Sequence, residues 1–185
     1  MKTILVSGSS SGIGLAICEE AKKMGHSVIG ISRNVNSQAT ELGIRSYSVD
    51  VTNQDQINEL VNNLTSENIT IDILINNAGL LIKDRFRDTT DDTFKKVYDV
   101  NVFGLANLTR ALLPIINRHG QVINITSVGG LNTSKKFPGL SAYASSKGAL
   151  ITLTEVLAEE YRSRPRFNCL ALGSVKTKML AEAFP

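Results

Sequence analysis

A phenol and an ammonium stand one helical turn apart in Ser141-Ala-Tyr-Ala-Ser-Ser-Lys147. Side chains at i and i+4 leave a helix on one face, so Tyr143 and Lys147 can act together. A tyrosine hydroxyl ordinarily titrates near ~10, too high to release its proton easily at neutrality. A fixed positive charge beside it favours the phenolate and draws that value toward working pH. The pair is a candidate proton-transfer device. The same spacing arises by chance in many helices, where it is only a solvated pair. Its meaning depends on what stands around it.

A second constellation lies near the N-terminus. Ser7-Gly-Ser-Ser-Ser-Gly-Ile-Gly14 follows an apolar run and opens directly into a helical pattern. Glycines allow a tight turn and a close backbone approach by a pyrophosphate, and the helix N-terminus offers unpaired N–H groups to the anion. Gly8, Ser10, Ser11, Gly12, Ile13 and Gly14 are the expected cofactor contacts of this turn. Its place between strand and helix, opening a βαβ unit, is what a dinucleotide site requires. At the end of the second strand, an acidic residue would accept hydrogen bonds from the ribose 2′-OH of NAD. Ser32 fills that slot and Arg33 follows, and a guanidinium can instead bind the 2′-phosphate of NADP. NADP(H) is favoured and NAD(H) is possible. Asn101 sits among apolar helix residues, where an amide gains nothing from propensity. Ser127 ends the fifth strand, at the sheet edge where ligands bind in doubly wound folds.

The elements that position these residues alternate. Ile4–Val6, Ser27–Ile31, Ile44–Val49, Ile71–Ile75, Gln121–Ile125 and Phe167–Leu172 read as strands. Most lack polar alternation, as expected of parallel strands covered on both faces. Helical patterns span Gly12–Met24, Ser37–Leu42, Asn53–Glu67, Asp91 to about Asn117, and Ser141 to about Arg162. The alternation predicts an α/β fold, a three-layer sandwich around a doubly wound parallel sheet. The fourth helix is apolar almost all round, from Phe94 and Val97 through Phe103 to Leu112 and Ile115. Such a helix is covered on more than one side, by a second subunit or by the chain's own fifth helix.

Composition excludes several functions. A net charge of +3 without a basic stripe does not argue for nucleic acid. No apolar run reaches membrane-spanning length, so no membrane partner is expected. Met1-Lys-Thr-Ile-Leu-Val lacks a signal-peptide cleavage pattern, and Cys18 and Cys169 read as buried free thiols, which together suggest the cytoplasm. His26 and His119 lie beside glycines in expected loops, and no metal site is expected from them.

The Gly-x-x-x-Gly-x-Gly spacing resembles that of the short-chain dehydrogenase/reductase family, whose members open with Thr-Gly-x-x-x-Gly-x-Gly. Ser7 replaces the threonine, a hydroxyl for a hydroxyl. The resemblance runs from Lys2 to about Thr177. Asp50-Val51 matches the family's adenine-contacting pair, and Asn76-Asn-Ala-Gly79 its Asn-Asn-Ala-Gly motif, which adds Asn77, Ala78 and Gly79 to the expected cofactor contacts. Asn101, Ser127, Tyr143 and Lys147 match the catalytic four. The resemblance implies a Rossmann-type sheet of order 3-2-1-4-5-6 and reversible hydride transfer between a nicotinamide and a small carbonyl or alcohol substrate. Tyr143 would be the general acid/base, Ser127 would hold the substrate oxygen, and Lys147 would lower the tyrosine pKa and bind the nicotinamide ribose. Asn101 would deform its helix and anchor a water relay. It also implies a homodimer or homotetramer through the fourth and fifth helices.

Two departures stand out. After the sixth strand the family usually carries Pro-Gly and then a cofactor-contacting threonine. Here Leu172-Gly-Ser-Val-Lys-Thr177 keeps Gly173 and Thr177, with Val175 between them, and loses the proline. The chain stops at Ala183-Phe-Pro185, where the family continues into a substrate loop and a seventh strand. Residues 1–185 are therefore expected to be a single truncated domain without that strand, either a fragment or a short member. A catalytically weak NADP(H)-binding sensor is the alternative function. Lys135, Lys136, Lys176 and Lys178 are read mainly as solvated loop charges, with an anion-favouring cleft as the other possibility.

Overall fold

The structure, a computed structural model, describes residues 1–35, 37–162 and 164–184. Pro185, where truncation is expected, lies outside them. Six parallel strands form one sheet of order β3-β2-β1-β4-β5-β6, the order that the family resemblance implies. They are β1 (Thr3–Ser7), β2 (Ser27–Ser32), β3 (Arg45–Ser48), β4 (Ile71–Asn76), β5 (Ile116–Ser127) and β6 (Arg166–Leu172). The helices are α1 (Gly12–Lys23), α2 (Ser37–Glu41), α3 (Gln54–Ser66), α4 (Asp91–Tyr98), α5 (Leu105–Leu112), α6 (Ser141–Glu160) and α7 (Lys178–Ala183).

The unbroken apolar run of β1 follows from its double cover. Leu5 points into a core with Ile57, Leu60 and Leu64 of α3 and Leu108 and Leu112 of α5. Ile4 and Val6 point the other way, toward Cys18 and Ala21 of α1 and Ala39 of α2. Successive strand residues alternate faces, so a strand between two helical layers has no face left for polar residues. Burying a Leu or Ile side chain contributes about 1.5–3 kcal/mol, and three leucines and isoleucines on α3 alone are essentially inaccessible.

The expected fourth helix is corrected. A π-helical turn, Asp99–Gly104, divides it between α4 and α5. A Cβ at Gly104 would stand 2.8 Å from the Val51 carbonyl oxygen and 2.9 Å from that of Asp99, so the chain is pressed against the β3–α3 connection there. The helix also ends early. Pro114 lies in a short 3₁₀ turn, Leu113–Ile115, where its ring and missing N–H stop an α-helix. Ile116 already pairs with Ile71, and β5 begins there rather than at Gln121. His119 is therefore in a strand, not a loop. Cys169 is half-buried rather than buried, because β6 is an edge strand whose Leu170 is 50% exposed.

Strand order reverses between β1 and β4. Crossovers from β1 run toward β2 and β3, and those from β4 run toward β5 and β6. A crevice opens beyond the carboxyl ends of the strands at such a reversal. Ser7, Asn76 and Ser127 are the last residues of β1, β4 and β5.

Candidate active site

Ser7 makes the first joint of the crevice. Its hydroxyl accepts from the N–H groups of Asn77 and Ala78, each at 3.0 Å, and donates to the Ile75 carbonyl at 3.4 Å. Asn77 Nδ2 returns two hydrogen bonds, to the carbonyls of Ser7 (3.0 Å) and Gly8 (3.2 Å). The glycine turn and the Asn-Asn-Ala-Gly turn are thus one unit. This explains why a hydroxyl suffices at position 7.

Gly8 has φ +69, the left-handed region that favours glycine. A Cβ at Gly14 would lie 2.1 Å from the Gly8 carbonyl oxygen, so only glycine allows α1 to start against this turn. Ser11 precedes α1 in extended conformation with no side-chain cap, and the helix has no acid in its first turn. The backbone donors at Gly12, Ile13 and Gly14 are left for an anion. Thr177 closes the turn from the far side: its Cγ2 would be 3.4 Å from a Cβ at Gly12, while its hydroxyl caps α7 through Leu180 N. Val175 is 41% exposed and Gly173 has open space around it.

Ser32 and Arg33 end β2. Ser32 Oγ donates to the Asn34 carbonyl at 2.7 Å, and Ser48 Oγ, from the paired position on β3, donates to the Arg33 carbonyl at 2.9 Å. The Arg33 backbone is held while its side chain stays exposed. Asp50 Oδ1 accepts from both Thr52 N and Thr52 Oγ1, folding that carboxylate oxygen into its own turn. Val51 is buried behind Gly104.

The chemical residues converge on α6. The Ser127 side chain lies close enough to the Tyr143 phenol to influence its titration, and Ser127 Oγ accepts from Gly129 N at 3.2 Å. Lys147 is 4% exposed; its Nζ donates to the Ile125 carbonyl at 3.0 Å and lies 5.8 Å from the Tyr143 ring centre. Gly79 stands over both remaining groups: a Cβ there would be 3.5 Å from Lys147 Nζ and 3.5 Å from Asn101 Oδ1. Asn101, fully buried at the π turn, accepts from Leu80 N (2.7 Å) and donates to Leu80 O (3.0 Å) and Ser146 Oγ (2.9 Å).

The electrostatics overturn one expectation. Burial lowers Lys147 from 10.5 to about 8, because a desolvated ammonium is disfavoured and no carboxylate pairs with it among the described residues. Burial raises the Tyr143 phenol above its usual value, and the Ser127 side chain pulls it back only in part. Lys147 therefore does not draw the phenol down here; its ammonium is turned to Ile125.

Two of the four flanking lysines are engaged. Lys136 Nζ donates to the carbonyls of Gly129 (2.9 Å) and Leu131, bracing the loop after β5, and Lys178 pairs with Glu182 at 3.8 Å. Sequence reasoning missed the Ser7 joint and the role of Ser146. It also missed a buried network in which Asn76 Nδ2 donates to Thr109 Oγ1 and Asn124 Oδ1, and Asn124 Nδ2 to Thr154 Oγ1, each at 2.8 Å. The available signal was polar residues in otherwise apolar strands and helix faces.

Sheet order, glycine turn and convergent side chains define a doubly wound, dinucleotide-binding α/β protein. The short-chain dehydrogenase family model matches residues 2–185, and the chain belongs to that family. The 3-ketodihydrosphingosine reductase of Bacteroides thetaiotaomicron is 35% identical over 159 residues, covering 85% of this chain and 57% of that protein. The chain thus spans less than two thirds of that relative's length. A short-chain dehydrogenase of Shigella flexneri complexed with NADP superposes with TM-score 0.92 at 28% identity, over 100% of this chain and 82% of the other. A 4-hydroxyisoleucine dehydrogenase complexed with NADH gives 0.85 at 33% identity, over 98% and 79%.

Proposed function

We propose that residues 1–185 form a single NAD(P)-binding domain of an NADP(H)-dependent oxidoreductase that interconverts a small carbonyl compound and its alcohol. The observation that carries this reading is the convergence of Ser127, Tyr143 and a buried Lys147 under the Gly79 turn. The residues present fit the cofactor: Gly8 and Gly14 let the turn pack tightly against the start of α1, and Ser11 places no side-chain cap on the helix's first amides. Gly8, Ser10, Ser11, Gly12, Ile13 and Gly14 would hold the pyrophosphate, and Asp50 and Val51 would border the adenine. Ala78, Gly79, Gly173, Val175 and Thr177 would border the nicotinamide, with Asn77 bracing the turn. The bound nicotinamide supplies or accepts the hydride.

The protein's own work is proton transfer and orientation. Ser127 positions the substrate oxygen beside Tyr143. A phenol with a raised pKa holds its proton at neutral pH, which suits donation to a carbonyl oxygen during reduction. Oxidation needs the phenolate and is favoured only as pH rises. Lys147, its Nζ held by the Ile125 carbonyl, is placed to bind the ribose. Asn101 holds the π turn against Leu80 and would support the route by which the proton is replaced.

Arg33 favours NADP(H), through an exposed guanidinium that can meet the 2′-phosphate and Ser32 in place of a repelling carboxylate. Phe103 and Val156, 56% and 55% exposed on the α5–α6 side, support pairing of two copies there. Among the described residues no helix is long and apolar enough to cross a membrane, and we place the protein in the cytoplasm on its free cysteines. NADPH and NADH fluorescence titrations test the cofactor, and a panel of aldehydes, ketones and sugars with Tyr143→Phe as control tests the chemistry. Tighter NADH binding would overturn the first, and equal turnover by the variant the second.

A further inference from the structure

Ser146 lies between Tyr143 and Lys147 on α6 and is completely buried. A mid-helix serine commonly satisfies itself by hydrogen-bonding a carbonyl one turn back. Ser146 does so, donating to the Tyr143 carbonyl at 2.7 Å. It also accepts from Asn101 Nδ2 at 2.9 Å, across from another element. The rest of the Asn101 amide is committed to both backbone groups of Leu80. Both Nδ2 hydrogens are used and Oδ1 is occupied, so the amide has one orientation. The result is a continuous chain from Leu80 through Asn101 and Ser146 to the carbonyl of Tyr143. It borders Lys147, since Gly79 sits against both Asn101 Oδ1 and Lys147 Nζ.

We infer that Ser146 is a positioning residue: through Asn101 it fixes the α6 turn bearing Tyr143 and Lys147 to the Gly79–Leu80 turn. Ser146 touches no reacting atom. Its hydroxyl sets where the phenol stands relative to Ser127 and to the turn that borders the nicotinamide. This rests on the reading of Tyr143 as proton donor. Misplacing a reacting group by about 1 Å can cost on the order of a hundredfold in rate.

The test compares wild type, Ser146→Ala and Ser146→Thr, with NADPH and the best substrate of the carbonyl panel. Ser146→Ala should lower kcat by about tenfold or more while KM for NADPH stays within about twofold. Ser146→Thr, which keeps the hydroxyl, should recover most of the loss. The phenolate absorbance of Tyr143, isolated by difference from Tyr143→Phe, should move to higher pH in Ser146→Ala, because the phenol drifts from the Ser127 side chain that lowers it. The double variant Asn101→Ala/Ser146→Ala should be no slower than Asn101→Ala alone. Ser146→Cys keeps the volume and weakens both hydrogen bonds, and it serves the same comparison if the alanine variant does not fold. A variant with lowered Tm but unchanged kcat and unchanged phenolate titration, or additive effects in the cycle, would overturn the inference. If the wild-type protein turns over no carbonyl compound, the proposed activity fails, while the titration still decides the role of Ser146.

Discussion

Replacing Lys147 with methionine should make the protein more stable at pH 7 and inactive. The lysine is 4% exposed, and burial lowers it from 10.5 to about 8. At about 1.4 kcal/mol per pH unit, that difference disfavours the native state by about 3 kcal/mol wherever the unfolded lysine is charged and the folded one must be charged too. The native state binds fewer protons than the unfolded state between about 8 and 10.5, so wild-type stability rises with pH across that window. The deficit is complete below about 8 and gone by 10.5. Methionine keeps the unbranched length without the charge. It also gives up the hydrogen bond to Ile125, worth about 1 kcal/mol. Lys147→Met should therefore be more stable than wild type by about 2 kcal/mol at pH 7 and less stable by about 1 kcal/mol at the alkaline end. Cys18, raised to about 12 by burial, opposes stability as pH climbs, but it is common to both proteins and cancels in the difference. Urea unfolding at 25 °C from pH 6 to 11 measures this directly. A variant less stable than wild type at pH 7, or a difference independent of pH, would refute the argument.

Tyr143→Phe should reduce turnover by at least ~10²-fold, the scale of a lost general acid, with NADPH affinity within about threefold by fluorescence titration. Arg33→Ala should weaken NADPH by about ten- to a hundredfold, the worth of one or two hydrogen bonds to a charged group, and leave NADH unchanged. Gly14→Ala should abolish binding of either dinucleotide, because its Cβ would stand 2.1 Å from the Gly8 carbonyl oxygen; a folded variant that still binds would refute the backbone-contact account. Thr154→Val should cost about 1–3 kcal/mol in urea unfolding, since Asn124 Nδ2 loses its buried acceptor.

Strand–helix alternation was enough to predict the two helical layers, because a strand covered on both faces writes its burial as an unbroken apolar run, while the sheet order came from the family resemblance. The glycine turn was equally legible: the Gly8–Gly14 crossing tolerates no side chain, so the constraint appears as residue type. What escaped was geometry without a local pattern. Nothing in the 3.6-residue periodicity around Asn101 marks a π turn, since the apolar spacing continues through it, and its close approach at Gly104 is to Val51 on a different connection. The early end at Ile115 was signalled by Pro114, but the apolar Ile115-Ile116 pair fits a helix or a strand equally well. The phenol's pKa could not be read at all. The i, i+4 spacing places Lys147 beside Tyr143, but only the tertiary fold shows that Nζ is turned to Ile125 and that burial dominates both groups.

The buried polar residues supply the physical link between fold and chemistry. Asn76 and Asn124 are register partners on β4 and β5, and their amides reach Thr109 on α5 and Thr154 on α6. Apolar packing alone leaves two helices free to slide along a sheet, since the hydrophobic effect is non-directional. Directional hydrogen bonds at depth fix the axial position of each, and unmaking one costs the desolvation of its partner. The same device recurs nearer the site, where Asn101 and Ser146 tie the π turn to α6, and again at Ser7, which joins the two ligand-facing turns. A proton donor must hold its place to a fraction of an ångström relative to a cofactor bound by other elements. Uncharged amides and hydroxyls do this without adding charge around Lys147, whose pKa burial lowers with no carboxylate beside it among the described residues.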